Sequence, residues 1–417
     1  MGQAPIKKGT LFRQRIFSRL FVGSVASSIG SSAGTIAITW LVYTVTLSAF
    51  DVALVGIVGI IPRIAFGIFS GALADRYGRL NIMIIADTIR ALTMIVFATT
   101  LLFYGFNLWI VLSAVFVLGL GQSLFRPSIQ SFLPTIVPRE SLGTANGLFI
   151  SAQEAMSIIG SPLGGTLIGI IGVAGTLYFN GASYITSGLF IIVVSLSLSS
   201  MGLKNPQLQG NERRESFFEQ VKGGFRYMNQ ERGLLKLTIA SFGANFFLVM
   251  FFTFLVVYVS STLGAGSFVF GVVSAAGGAG FAVGSLLAGK SKLERKFGIW
   301  FSLPWGMAAF GILGLVLFPT VDYATIFVFL LSLGGGFGNT IWFTGVQKFV
   351  PNEILGRFLG MDEVGSIAAG PAGQVFGGLI IPIVGLGVDY ALAAAGVAIL
   401  CFGLLLFPDV RALKVSI

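Results

Sequence analysis

Apolar residues fall into twelve long stretches, roughly 20–46, 52–74, 80–103, 107–133, 142–170, 177–201, 234–262, 267–289, 298–318, 323–347, 356–385 and 387–407. A helix needs about 20 apolar residues to cross a bilayer. The pattern therefore predicts an all-α membrane protein with twelve transmembrane helices, with glycine and proline inside them as is common in membrane spans. One long polar stretch, Gly202–Gly233, interrupts the series after the sixth span. Within it Phe217, Phe218, Val221, Phe225 and Met228 recur at helical spacing among charges. That spacing predicts an amphipathic helix lying on the membrane surface. The expected organisation is an N-terminal six-helix bundle over 1–201, a linker over 202–233 and a C-terminal six-helix bundle over 234–417.

The two halves repeat at a constant offset of 213 residues. The run Val137-Pro-Arg-Glu-Ser-Leu-Gly-Thr-Ala-Asn-Gly matches the run from Val350, Val-Pro-Asn-Glu-Ile-Leu-Gly-Arg-Phe-Leu-Gly. Gly160, Gly164 and Gly165 align with Gly373, Gly377 and Gly378, Gly67 and Gly71 with Gly280 and Gly284, and Gly30 with Gly243. Repeats of six spans keep the same orientation, so they are expected to be parallel, with a substrate path near the midplane.

Charge sharpens the picture. The 417 residues are 55% hydrophobic and only 10% charged, with a mean hydropathy of +0.92. Soluble proteins carry about 25% charged residues, so an ordinary soluble enzyme is excluded, and so is a disordered chain. The net charge is +10, which by itself would fit a nucleic-acid partner. Its distribution points elsewhere. The segments Ser48–Asp51, Tyr104–Phe106, Ile171–Thr176, Leu263–Gly266, Pro319–Asp322 and Gly385–Gly387 hold no Lys or Arg. Of 26 basic residues, Arg63, Arg90 and Arg126 lie inside spans, and the other 23 lie in or beside the tails and the alternate loops. The positive-inside rule then places both termini in the cytoplasm, in an inner membrane, with no nucleic acid involved. Lys7, Lys8, Arg13, Arg15 and Arg19 precede an apolar segment too long for a signal peptide, which reads as a retained first span.

The single cysteine, Cys401, and the absence of histidine give no internal disulfide and no metal-ligand cluster. Proton chemistry would fall to carboxylates. No serine–histidine pair and no phosphate-binding glycine–lysine loop is present, so neither an enzyme nor direct ATP drive is expected, and no cofactor.

Between spans two and three stands Gly71-Ala-Leu-Ala-Asp75-Arg76-Tyr-Gly78-Arg79-Leu80. It resembles the loop signature of the major facilitator superfamily, departing at Leu80, where many members carry a second basic residue. The resemblance covers nearly the whole chain and implies that fold. It also implies a gating role for Asp75, on the N-terminus of span eleven near Gly356. The physical reading agrees, since Gly71 permits close helix approach, Gly78 a tight turn, and a helix N-terminus attracts a carboxylate. Gly160-Ser-Pro162-Leu-Gly164-Gly in span five is similar to the glycine–proline run of exporters in that superfamily, and also reads as plain close packing. The runs Asp87-Thr-Ile-Arg90, Phe125-Arg126-Pro127 and Leu133 to Asn146 resemble drug–proton antiporters of the macrolide and enterobactin exporter type.

An ionisable group at bilayer depth costs roughly 2.5–3.5 kcal/mol on insertion scales, so each is a functional candidate. Arg63, Asp87, Arg90, Arg126 and Glu154 form that set, all in the N-terminal half. At about 1.5 Å per residue, Arg63 and Glu154 lie about 17–18 Å from the cytoplasmic side and are expected to pair. Asp87 and Arg126 lie about 10 Å deep and are expected to form a shallower pair, with Arg90 near. Glu154 is the first candidate proton carrier, because burial and a neighbouring guanidinium act on a carboxyl in opposite directions. The Glu154–Arg63 pair reads equally as a fixed ion pair. Asp87 reads first as structural, and Asp362 and Glu363 rank lower.

Ser24, Ser28, Ser31, Thr35 and Thr39 form one polar stripe on span one. Asn245 in span seven and Asn339, Thr340, Thr344 and Gln347 in span ten add polar groups, beside the aromatics Trp40, Tyr43, Phe246, Trp342 and Phe343. The resemblance implies that spans one, four, seven and ten surround the cavity. Such a lining suits an amphipathic, partly aromatic cargo; the 40 phenylalanines also place rings on every face. The expected function is proton-coupled efflux of lipophilic drugs or siderophore-like metabolites by a monomer. An uptake symporter of the same fold is the alternative, and a sensor or lipid scramblase is the reading of a different class.

Overall fold

The computed structural model describes residues 15–137, 142–200, 232–289, 297–349, 369–378, 396, 397 and 399. Among these residues there is no strand. The helices are α1 (Arg15–Thr46), α2 (Ala49–Tyr77), α3 (Arg79–Tyr104) and α4 (Leu108–Ile136). The segment Leu142–Ser200 breaks at Gly172, with φ 73° and ψ 177°, into α5 (142–171) and α6 (173–200). Then follow α7 (Arg232–Val257), which ends in a π-helical turn over Tyr258–Thr262, α8 (Ser267–Gly289), α9 (Phe297–Leu317) and α10 (Val321–Phe349). Helical residues 369–378 belong to α11. The first ten predicted spans agree with these helices to within five residues at either end. Among the described residues seven helices are long and apolar enough to cross a membrane, Ser151–Ser200 being counted as one. The linker, its amphipathic helix, Val350, Gly356, Asp362, Glu363, Cys401 and most of spans eleven and twelve lie outside the described residues.

Turn chemistry sets the helix ends. The Ser48 hydroxyl accepts from the Asp51 N–H at 3.1 Å and caps α2. The Asn107 side chain accepts from Trp109 N–H at 2.9 Å and caps α4. Gly78 adopts φ 86° between α2 and α3, the tight turn expected of it. Asp75 does not end α2, which runs two residues further to Tyr77.

The chain divides into two compact units, Met1–Val45 with Ile57–Asn211, and Thr46–Gly56 with Glu212–Ile417. This differs from the expected division at residues 46–56, the last residue of α1, the turn after it and the first part of α2. The reason is close packing. The Gln374 side chain occupies the space where a Cβ on Gly56 would lie, and a Cβ on Gly378 would stand 3.1 Å from Phe50 Cα.

Within each unit glycines let backbones meet. In unit 1, a Cβ at Gly164 would lie 2.7 Å from Ala33 Cα, and one at Gly160 2.9 Å from the Ile29 carbonyl, so α5 lies directly on α1. In unit 2, Gly373 of α11 abuts the Phe246 carbonyl of α7. Residue 246 is Ala33 plus 213, so the repeat seen in the sequence recurs as the same pair of packed helices. The α8–α10 contact is tighter still: a Cβ at Gly284 would press on the Leu333 carbonyl oxygen, and one at Gly336 on the Phe281 carbonyl oxygen.

Candidate functional site

Unit 1 holds a buried ionic cluster. On α3, Asp87 and Arg90 are three residues apart and share one helix face. Asp87 is 1% exposed and Arg90 7%, and Arg90 Nη2 donates to Asp87 Oδ1. The guanidinium carbon lies 4.4 Å from the centre of the Phe125 ring of α4 and 4.5 Å from that of Tyr184 of α6. Two aromatic faces on one guanidinium offset part of its desolvation. The Ser187 hydroxyl of α6 faces the Asp87 carboxylate. Gly121 of α4 makes room, because a Cβ there would stand 2.6 Å from Arg90 Cγ. The Tyr184 hydroxyl pairs with Ser31 of α1 at 2.9 Å. The cluster thus joins α1, α3, α4 and α6. Asp87 engages Arg90, on its own helix, and not Arg126, which is exposed.

Unit 2 holds a cavity instead, of about 170 Å3. It lies among α7, α8, α9 and α10, with Ile399 adding one contact. Its aromatic walls are Phe247, Phe251, Phe281, Trp305 and Trp342, and its polar groups are Asn245 and Asn339. None of the sixteen described lining residues is charged. Asn245 is half-buried and Asn339 exposed. Gly334, Gly335 and Gly338 of α10 complete the described lining on that helix.

At the offset of 213, Arg90 corresponds to Leu303, Gly121 to Gly334, Phe125 to Gly338 and Arg126 to Asn339. Leu303 is exposed and outside the cavity lining, and Gly334 and Gly338 line the cavity while packing against Pro304 of α9.

The structure gathers the predicted residues into two groups. Asp87, Arg90 and, through Tyr184, Ser31 meet in unit 1; Asn245, Asn339 and Trp342 meet in unit 2. Ser28 lines a narrow crevice with Phe21, Ser24, Phe149 and Gln153. The hydroxyls of Ser28 and Thr35 bond back to the carbonyls of Ser24 and Ser31, and Thr35 is exposed. Trp40 and Arg63 are half-buried, as is Pro162 inside α5. Phe246 packs on Phe376 of α11, 5.6 Å between ring centres, and is not part of the cavity lining. Arg76 is exposed, over the Tyr77 ring. Arg79 is buried and donates to the Ser131 carbonyl near the end of α4. Leu80 is 1% exposed within the core of unit 1, which explains why no second basic residue stands there. The surroundings of Gly71 and the side chains of Asp75, Glu154 and Thr344 lie outside the described residues.

Sequence reading missed Tyr184, Ser187, Trp305, Phe251 and Phe281 as site residues. Nothing local marks them among so many aromatics and hydroxyls. The repeat offset was the usable signal, because it sets Phe125 against Gly338 and Arg90 against Leu303.

Comparison with known proteins agrees with this architecture. The chain is 25% identical over 410 residues to the MFS-type transporter YfiS of Bacillus subtilis, covering 95% of this chain and 93% of that one. It is 23% identical over 223 residues to macrolide efflux protein A of Streptococcus pyogenes, covering 54% and 53%. The crystal structure of a bacterial homologue of the iron transporter ferroportin, in an inward-facing state, has the same fold, with a TM-score of 0.72 at 13% identity over 95% of this chain and 99% of that one. The family described as transmembrane secretion effector matches residues 8–414. The chain is a membrane transporter of the major facilitator superfamily and belongs to its transmembrane secretion effector family.

Proposed function

We propose that the protein exports a lipophilic, ring-bearing small molecule in exchange for protons, by alternating access. It acts as a monomer in the inner membrane with both termini cytoplasmic. The observation that carries this reading is the uncharged aromatic cavity of unit 2, whose lining includes two indoles and two asparagine amides. Such a lining suits an amphipathic cargo. The likeness to macrolide efflux protein A supports export, and so does the run from Gly160 through Pro162 to Gly164. The membrane potential supplies about 2.3 kcal/mol per charge per 100 mV, with the proton gradient in addition.

In this reading Glu154, with Arg63, carries the proton, while Asp87 and Arg90 hold α3 to its neighbours. Asp75 and the turn through Gly78 and Arg79 gate access. The decisive experiment is flux in proteoliposomes under an imposed pH gradient, with chloramphenicol, a neutral lipophilic drug with one aromatic ring, as the probe. Uphill flux opposite to the proton flow is expected. Flux in the direction of the protons would make the protein a symporter, and flux indifferent to the gradient would end the coupling model. Glu154→Gln is expected to abolish gradient-driven flux while leaving downhill exchange.

A further inference from the structure

Unit 2 encloses a cavity of about 170 Å3 among α7, α8, α9 and α10, and none of its sixteen described lining residues is charged. At the repeat offset its Asn339 stands where unit 1 has Arg126. We propose that the unit 2 cavity is a subsite for one uncharged aromatic ring that bears a hydrogen-bonding substituent. This rests on the reading that the cavity receives the cargo, and it names the part of the cargo that enters.

Size fixes the first half of the proposal. An apolar cavity of about 150 Å3 admits a benzene molecule. A cavity slightly larger takes one ring with its substituent, while the remainder of a larger molecule stays outside. The walls fix the ring's character. Trp305, Trp342, Phe251 and Phe281 offer flat faces and edges, and aromatic rings pack on these in offset or edge-on arrangements.

Charge fixes the second half. An ion moved into this lining would lose hydration and meet no counter-ion among the described residues. A neutral ring loses little, and its polar substituent finds amides. The exposed Asn339 amide presents both a donor and an acceptor, so the substituent can be a hydroxyl, an amide or an indole N–H.

Three probes of one shape separate these points: benzamide is neutral, benzamidine cationic and benzoate anionic. Saturation-transfer NMR on the purified full chain in detergent, without any gradient, measures each. Benzamide is expected to bind saturably and at least tenfold more tightly than either ion. Ala308→Phe, which fills the cavity from α9, is expected to abolish binding. Gly335→Ala is a milder filling variant, since its Cβ would sit 3.4 Å from Leu248, an ordinary contact; it is expected to weaken binding about threefold in a chain that folds normally. A preference below tenfold, or benzamide binding unchanged by Gly335→Ala, overturns the proposal. Because no gradient is applied, the result is separable from the export reading. Gradient-indifferent flux with intact benzamide selectivity would remove only the coupling, and gradient-driven flux without that selectivity only the subsite.

Discussion

Arg90 is held from three sides, by a carboxylate and two ring faces, and each contact makes a different prediction. Removing one partner of a buried ion pair costs about 3–5 kcal/mol, because the other charge is left alone. Arg90→Leu is therefore expected to lower the thermal unfolding temperature sharply. Adding Asp87→Asn to it should recover much of that loss, since the stranded charge is gone. If the double variant unfolds lower still, Asp87 has another counter-ion and the pairing is secondary. Tyr184→Phe keeps the ring over Arg90 but removes the hydroxyl bonded to Ser31. An ordinary hydrogen bond contributes about 0.5–1.5 kcal/mol. Tyr184→Phe and Ser31→Ala should each cost about that much, and the double variant no more than either alone. Additive losses in the double-mutant cycle would show that the two hydroxyls are not energetically coupled.

At the scale of helices, some glycines meet backbone, some a side chain and some nothing. Gly164 is of the first kind: a Cβ there would press on Ala33 Cα at 2.7 Å, and backbone cannot swing aside. Gly164→Ala is expected to push α5 off α1 and destabilise the protein. Gly169, in the same helix, has nothing within 4 Å of a would-be Cβ. Gly169→Ala should be neutral or stabilising by up to about 1 kcal/mol, through helix propensity alone. Gly172 has open space too, but its φ of 73° makes any side chain strained. Gly172→Ala should therefore destabilise where Gly169→Ala does not. Parallel melting curves in detergent for the three variants decide this; equal melting of Gly164→Ala and Gly169→Ala would contradict the packing argument.

Over the whole molecule, the two repeats share helix packing and differ in content. One unit holds buried charge and the other an uncharged aromatic space. Exposed aromatics stand at turns free of basic residues in both, Phe103, Tyr104 and Trp109 in one and Phe318 and Tyr323 in the other. Trp and Tyr favour the membrane–water interface. If the basic loops are cytoplasmic, a single cysteine at Asn107, in a Cys401→Ser background, should react with an impermeant thiol reagent added outside intact cells. One at Asn81, beside the basic loop, should react only after lysis. The reverse labelling pattern would invert the topology.

The sequence by itself determined the spans, their order, the repeat and the superfamily. Each of these depends on runs of apolar residues or on contiguous motifs, which are local and summed over many positions. The sequence also picked out Asp87 and Arg90, because charge is rare in these helices. It could not assign partners. Depth along a helix axis put Asp87 level with Arg126, yet the rotation of α4 about its own axis turns Phe125 onto Arg90 and leaves Arg126 exposed. Nor did it show the cavity, which depends on small residues across from large ones on four helices. Gly338 is unremarkable in a chain with 57 glycines until the structure sets it in the cavity wall. Only tertiary packing decided that one repeat is filled by an ion pair and the other left hollow, because a cavity belongs to side chains distant in sequence and to none of them alone.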